Sequence, residues 1–397
     1  SFISLRQIDN RMLGIIEFIA TIYSTLQNIF ISFWPHLDLA DKTIISKYDY
    51  LRSPLPFEEN LTNALFFCST EGSPQTIYIF SFVTFFTTLL FFLISLTSFC
   101  LFFFKKRVNF PLIFCFNFFA QFICPIVIVP IGFQTGWLIS RISYMNELKS
   151  SGNSLENYGS LTTFTLLTVL DIILFLILFF IIIVINIFDT YSIFIVNSFI
   201  VSYNEVFQTI WMAAPSLVLL LSNVMPLFHV NFRYLIISLH FLFCISMTVM
   251  CFWFPSGKLV VNSMFASFSI SMLISDCLCF TSLCTKWYRY MIFIGCSIVL
   301  FFLMNLFLKL RVKSILKLKD RKDENSIIST YKDLSVSKLL FTLRIAMITK
   351  DPVFLDGKLA DFISTRVRTN PDKIELSRLI CYFPEFRSIL FALLMSL

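Results

Sequence analysis

The residues from Leu166 to Ile187 read LLTVLDIILFLILFFIIIVINI, and from Ile172 to Ile185 every side chain is apolar. The stretch carries one charge, Asp171. A soluble core has no use for a helix that is apolar on every face over this length. A bilayer does: about 20 residues rising 1.5 Å each cover roughly 30 Å of hydrocarbon. In lipid the backbone must satisfy its own hydrogen bonds, so the run is helical and not extended. Every other segment is placed relative to this span.

The remaining sequence has the same character. The chain is 57% hydrophobic and 14% charged, against about 25% charged in soluble domains. It lacks the polar–apolar alternation of an outer-membrane barrel. The expected fold class is all-α: a polytopic transmembrane helical bundle of seven to eight spans, followed by a cytosolic α-helical, repeat-like segment. The spans expected besides Leu166–Ile187 are Ile77–Phe104, Pro111–Ile139, Phe207–Leu227, Tyr234–Phe254, Leu259–Phe280 and Tyr290–Leu308. Met12–Trp34 is long enough to cross, yet its Glu17, Thr21, Ser24, Thr25, Gln27 and Asn28 also suit an interfacial helix. Pro35–Thr76 and Ser140–Ser160 read as polar loops, and Asp189–Val206 as a mixed segment lying along the membrane. Four regions follow: 1–76, an N-terminal apolar segment with an extracellular loop; 77–308, the bundle; 309–324, a basic juxtamembrane segment; and 325–397, the helical repeat-like region.

Orientation comes from Lys and Arg in short loops. Lys105, Lys106 and Arg107 close the first clear span and mark it as ending in the cytoplasm. Six further spans bring Lys309, Arg311, Lys313, Lys317 and Lys319 to the same side. The two clusters agree, which places the glycosylation sequon at Asn60 outside. The protein is thus expected as an integral membrane protein, of the plasma membrane, with a cytosolic C-terminal region.

From Lys309 onward there are 17 Lys and Arg against 10 Asp and Glu, so this region carries the whole +7 net charge of the chain. Its first residues lie where anionic lipid headgroups attract a basic side chain by about 1 kcal/mol. A basic run tethered at a bilayer without interleaved aromatics is not a nucleic-acid site. Beyond Glu324 the apolar periodicity is helical, with faces at Leu334–Ile348, Gly357–Val367 and Ile374–Ile380, separated by Asn370-Pro371-Asp372. Short helices with tight turns suggest the start of a repeat array. The chain stops at Leu397 inside an apolar run, so it is expected to be a piece of a longer protein.

No catalytic constellation, cofactor motif or metal-type spacing is present. The 11 Cys mostly sit in apolar runs, where they act as small apolar residues. The three His, His36, His229 and His240, fall in no zinc motif. Ser256-Gly257-Lys258 reads as a turn between spans. Ionisable residues inside spans are costly and therefore informative. Asp171, His240 and Asp276 are each expected about 6–9 Å below the outer ends of their spans at 1.5 Å per residue. A shared depth would let them form one site for an ion or an extracellular ligand; helix-to-helix hydrogen bonding is the plainer reading.

Three stretches carry a resemblance: QNIFISFWPHL at Gln27–Leu37, LRIAMITKDPVFLDGKLADFISTRV at Leu343–Val367, and CYFPEFRSIL at Cys381–Leu390. With the multi-span block, the chain resembles the N-terminal region of protist, trichomonad-type receptor-like adenylate/guanylate cyclases and the related tiny macrocysts B/C proteins. The resemblance implies a membrane input half followed by a tetratricopeptide-like segment, further spans and, in some members, a cyclase domain. It carries over no catalytic residue, because residues 309–397 contain nothing that reads as a cyclase sheet. The expected function is a membrane sensor or signalling protein, with a transporter or channel as the alternative. A seven-span chemoreceptor fits the span count but not the long helical tail.

Overall fold

The computed structural model describes residues 11–33, 64–66, 74–104, 110–150, 161–190, 205–229, 231–256, 258–281 and 286–315. These residues form helices with no strand among them: α1 (Arg11–Ile31), α2 (Pro74–Phe103), α3 (Phe110–Phe118), α4 (Cys124–Ser150), α5 (Leu161–Thr190), α6 (Glu205–Val224), α7 (Phe232–Cys251), α8 (Leu259–Thr281) and α9 (Lys286–Ile315). A π-helical turn, Phe119–Ile123, joins α3 to α4, and a 3₁₀ turn, Met225–Leu227, extends α6. Among the described residues, seven helices are long and apolar enough to cross a membrane: Tyr78–Thr97, Cys124–Glu147, Leu161–Val184, Phe207–Leu227, Phe232–Cys251, Leu259–Phe280 and Tyr288–Ile315. Asn60, Lys317, Lys319 and the expected repeat-like region at 325–397 lie outside the described residues.

The surface of the bundle is apolar where a soluble protein would be polar. Phe180 is 65% exposed on α5 and Phe302 67% exposed on α9. α1 shows the same inversion within one helix. Its Ile15, Phe18, Ile19, Ile22 and Leu26 are exposed, while Thr21, Ser24, Thr25, Gln27 and Asn28 are buried. The 3.6-residue period puts the two sets on opposite faces. Such a helix is stable only with hydrocarbon on its apolar side and polar partners on the other, so Thr21, Ser24, Thr25, Gln27 and Asn28 face the interior of the bundle.

α1 and the turn after it touch two apolar clusters. Phe30 and Ile31 join one built mainly by α2 to α6, to which Ile236 and Ile237 of α7 and Cys279 of α8 also belong, and Phe33, just past α1, joins the one built by α6 to α9. There Phe33 stacks on Tyr290 at 4.3 Å and meets Phe293 edge-on at 5.4 Å. The expected outer loop also contributes to the interior. Phe66 is fully buried, with ring centroids 5.6 Å from Phe30 and 5.4 Å from Phe133. The Tyr23 hydroxyl donates to the Ala64 carbonyl at 2.6 Å, with the Leu65 carbonyl 3.0 Å away sharing the same hydrogen, and so ties residues 64–66 to α1.

α4 and α6 form an extensive helix pair. Gly132 faces Ser216, Gly136 faces Leu220, and the Ser140 hydroxyl donates to the Asn223 carbonyl. The numbers rise together, so the two helices run parallel. Gly132, Gly136 and Ser140 lie four residues apart, a small-residue stripe that lets membrane helix backbones approach closely. This contact also explains why the expected loop from Ser140 is helical as far as Ser150. Ser140 is tied to α6, Met145 is buried, and the Arg141 guanidinium lies 5.8 Å from the Trp137 ring and 5.9 Å from the Tyr144 ring. α9 likewise continues past the expected end at Leu308, so Lys309, Arg311 and Lys313 belong to its last turns.

The turn from α7 to α8 contains Ser256 and Lys258, as the spacing of the spans predicts. Asn262 closes it from α8: its Oδ1 accepts from the Ser256 N–H and its Nδ2 donates to the Ser256 carbonyl, each at 2.9 Å. Phe254, fully buried, takes a φ of 53°, a conformation that costs a bulky residue about 1–3 kcal/mol.

Candidate functional site

Two helices contain an internal proline, and each leaves one carbonyl without its helical donor. Proline has no N–H, so the carbonyl four residues earlier is orphaned. For Pro130 in α4 that residue is Ile126; for Pro215 in α6 it is Trp211. The polar face of α1 supplies both missing donors. Gln27 Nε2 donates to Ile126 O at 3.1 Å, and Asn28 Nδ2 donates to Trp211 O at 3.0 Å. The second Gln27 amide hydrogen goes to Leu65 O at 2.9 Å. Ser24 adds a bond to Pro125 O at 3.3 Å. Pro125 itself follows the π turn, where the Cys124 N–H reaches Phe119 O. Neighbouring side chains are the usual way in which a membrane helix accommodates a break. Nothing in the sequence alone pairs Gln27 with Pro130 or Asn28 with Pro215.

Of the three intramembrane residues expected to share a site, two meet and Asp171 pairs elsewhere. Asp171 is buried about 15 Å along α5 from Leu161 at 1.5 Å per residue. Its Oδ2 accepts from Gln134 Nε2 of α4 at 2.7 Å. Gln134 Nε2 also donates to the Ser81 hydroxyl of α2, which itself faces the Asp171 carboxyl. The result is a polar knot joining three helices of the first apolar cluster. Its residues, a carboxyl, an amide and a hydroxyl, suit cohesion between helices. Asp171→Leu is expected to lower stability by about 1–3 kcal/mol, the cost of orphaning buried donors. Asp171→Asn, which keeps an acceptor of the same shape, is expected to cost less than half as much. Thermal unfolding of the purified protein in detergent measures both; an equal loss in the two variants shows that the charge, not the hydrogen bond, holds the helices.

His240 and Asp276 do meet. His240 Nδ1 and Asp276 Oδ2 are 2.8 Å apart, with both side chains buried. Cys244 stands one turn along α7 from His240, its Sγ 4.0 Å from the same Nδ1. Ser32, in the turn after α1, and Arg289 of α9 border the Asp276 carboxyl. Three helices and the turn after α1 thus converge on this pair. His240 Nε2 is buried and has no hydrogen-bond partner among the described residues. Imidazole, carboxylate and thiol in contact can hold or pass a proton, or hold a cation. Apolar patterning alone does not single out Cys244 as a partner of His240, although a spacing of four places the two residues on one helix face.

The remaining predicted positions are simpler. Lys309 and Lys313 are exposed at the end of α9, and the Arg311 guanidinium lies 5.7 Å from the Phe252 ring. No family model, curated protein or solved structure matches the chain.

Proposed function

We propose that this chain is the membrane-embedded input part of a receptor-like signalling protein of the protist nucleotide-cyclase type. In this reading it sits in the plasma membrane, takes its signal from an extracellular ligand and passes it to a cytosolic C-terminal region. The exposed Lys309 and Lys313 rest on anionic headgroups at the cytosolic face. One observation carries the choice of sensor over transporter: α1 seals the backbone groups freed at Pro130 and Pro215. Secondary transporters use broken helices differently, leaving the freed groups to line a cavity and to coordinate the substrate or its coupling ion. Here those groups are consumed by a helix that also touches both apolar clusters. Such a helix serves to couple the two halves of the bundle.

Two measurements test the reading. Purified protein reconstituted into liposomes under an imposed proton or sodium gradient is expected to give no flux above that of empty vesicles. A saturable flux would overturn the sensor reading and favour a transporter. The coding sequence past Leu397 is expected to run into further spans and an output domain, and an immediate stop codon would remove the cyclase-type assignment.

A further inference from the structure

The contact between His240, Cys244 and Asp276 brings together three side chains of the kinds that bind transition metals. Their ligand atoms all lie within 4.8 Å of one another, and all three residues are buried. Two come from one face of α7, in the pattern His-x-x-x-Cys, and the third from the neighbouring helix α8. We propose that His240 Nδ1, Cys244 Sγ and Asp276 Oδ2 form a three-ligand site, with one open position, for a divalent transition cation of the zinc class. The assignment stands on these ligand atoms and is independent of the signalling reading.

The distances suit the ion. Zinc bonds of about 2.0–2.1 Å to nitrogen, 2.0–2.2 Å to oxygen and 2.3 Å to sulfur, set at tetrahedral angles, hold the ligand atoms roughly 3.3–3.6 Å apart. The observed separations bracket that value: 2.8 Å between Nδ1 and Oδ2, and 4.0 Å between Nδ1 and Sγ. Rotamer adjustments well under the length of a bond convert one arrangement into the other.

The donor set selects the ion class. Imidazole and thiolate are poor ligands for magnesium and calcium, which take oxygen, whereas a mixed nitrogen, sulfur and oxygen set suits zinc. Binding is an acid–base exchange without redox change. The Cys244 thiol loses its proton to solvent as the sulfur–metal bond forms, and the His240 proton resides on Nε2. Thiolate and carboxylate then balance the two charges of the cation. The Arg289 guanidinium, bordering Asp276, is placed as an outer partner of the ligating carboxylate. A hydroxide or small anion in the open position would balance its charge.

His240 Nε2 is buried without a hydrogen-bond partner among the described residues, which is neutral between the free and the metal-bound ring; the proposal stands on the three ligand atoms. The site also lies close to an end of the bundle, since Asp276 is about 7.5 Å from Thr281 along α8 at 1.5 Å per residue. An ion therefore needs to travel only a short way from the helix end.

The test uses the full chain, purified in detergent and stripped with a chelator, with Co²⁺ as the probe. The expected result is one tightly bound Co²⁺ per chain, showing a thiolate-to-cobalt charge-transfer band and the intense visible bands of a tetrahedral centre, both lost on adding Zn²⁺. Cys244→Ala is expected to abolish the charge-transfer band. Cys251→Ala, which alters another buried cysteine of α7, is expected to keep it. X-ray absorption on the Zn²⁺-loaded wild type needs no variant and is expected to show one sulfur and three nitrogen or oxygen neighbours. Failure of the wild type to bind Co²⁺, a shell without sulfur or with two or more sulfurs, or a charge-transfer band that survives Cys244→Ala would each overturn the proposal.

Discussion

Replacing Gly132 or Gly136 with alanine is expected to force α4 away from α6. A Cβ at position 132 would lie 2.6 Å from the Ser216 carbonyl oxygen and 2.9 Å from the Ser216 Cβ. At position 136 it would lie 2.7 Å from the Leu220 carbonyl oxygen. The obstructing atoms are chiefly helix backbone, which cannot rotate aside as a side-chain tip can. The strain is relieved only by separating the two helices, and separation also loosens the Ser140 bond to Asn223. Each substitution is expected to lower stability by about 1–3 kcal/mol, the usual cost of overpacking a close contact. The double variant is expected to approach the sum, and Gly136→Leu to abolish a monodisperse folded species. Gly295 supplies the control, because a Cβ there meets nothing within 4 Å. Gly295→Ala is expected to be neutral or slightly stabilising, since alanine is the better helix former. Thermal unfolding and gel filtration in detergent read all five. Equal behaviour of Gly132→Ala and Gly295→Ala would show that the close approach of α4 and α6 does not hold the bundle.

Substituting the two amides of α1 is expected to have an effect of similar size, and its cause can be isolated. Gln27→Met removes the donor to Ile126 O, and Asn28→Leu removes the donor to Trp211 O, with little change of volume. Each orphaned buried carbonyl is expected to cost about 1–3 kcal/mol. The decisive measurement is a double-mutant cycle with the proline concerned. Pro130→Ala returns an N–H to α4 that can reach Ile126 O, so in that background Gln27→Met should cost less. The loss of the bond to Leu65 O is common to both backgrounds and cancels. The same holds for Asn28→Leu with Pro215→Ala. A coupling of about 0.5–3 kcal/mol in each cycle is expected for groups sharing one hydrogen bond. Crossed pairs, Gln27 with Pro215 and Asn28 with Pro130, should come closer to additivity. Additivity in the matched pairs would show that α1 does not complete the broken helices.

Much of this architecture was legible in the residues taken singly. Hydropathy located all seven helices that are long and apolar enough to cross; their limits differ from the observed ones where a polar helix end continues, as at Ser140–Ser150 and Lys309–Ile315, and where the expected span Pro111–Ile139 is divided by the π turn Phe119–Ile123. Those extensions depend on partners in other helices, which a local pattern does not contain. The polar residues of α1 were visible as an anomaly in an apolar run, and Pro130, Pro215 and the Gly132–Gly136 pair stood in plain sight. What joins them was not visible. Asp171, His240 and Asp276 stood out for the same reason, the cost of a charged group in hydrocarbon. Their assignment to one site rested on depth alone, and depth leaves rotation about the helix axis and lateral position open. Asp171 faces Gln134 and Ser81, while His240 faces Asp276 with Cys244 on the same turn.

The sequence by itself therefore determined that this protein is helical, that seven of its segments are built to cross a membrane, and which few residues would be expensive there. Transfer into lipid depends on each segment's own side chains, so that information is local and additive. Only the tertiary structure decided which helix faces meet. Lipid tails are as apolar as the helices they surround, so burial of apolar area does not discriminate among lateral pairings. The choice falls to close backbone approach at Gly132 and Gly136 and to a small number of hydrogen bonds, from Gln27, Asn28, Gln134 and His240. Each of these needs a partner far away in the chain, at separations that no period in the sequence encodes.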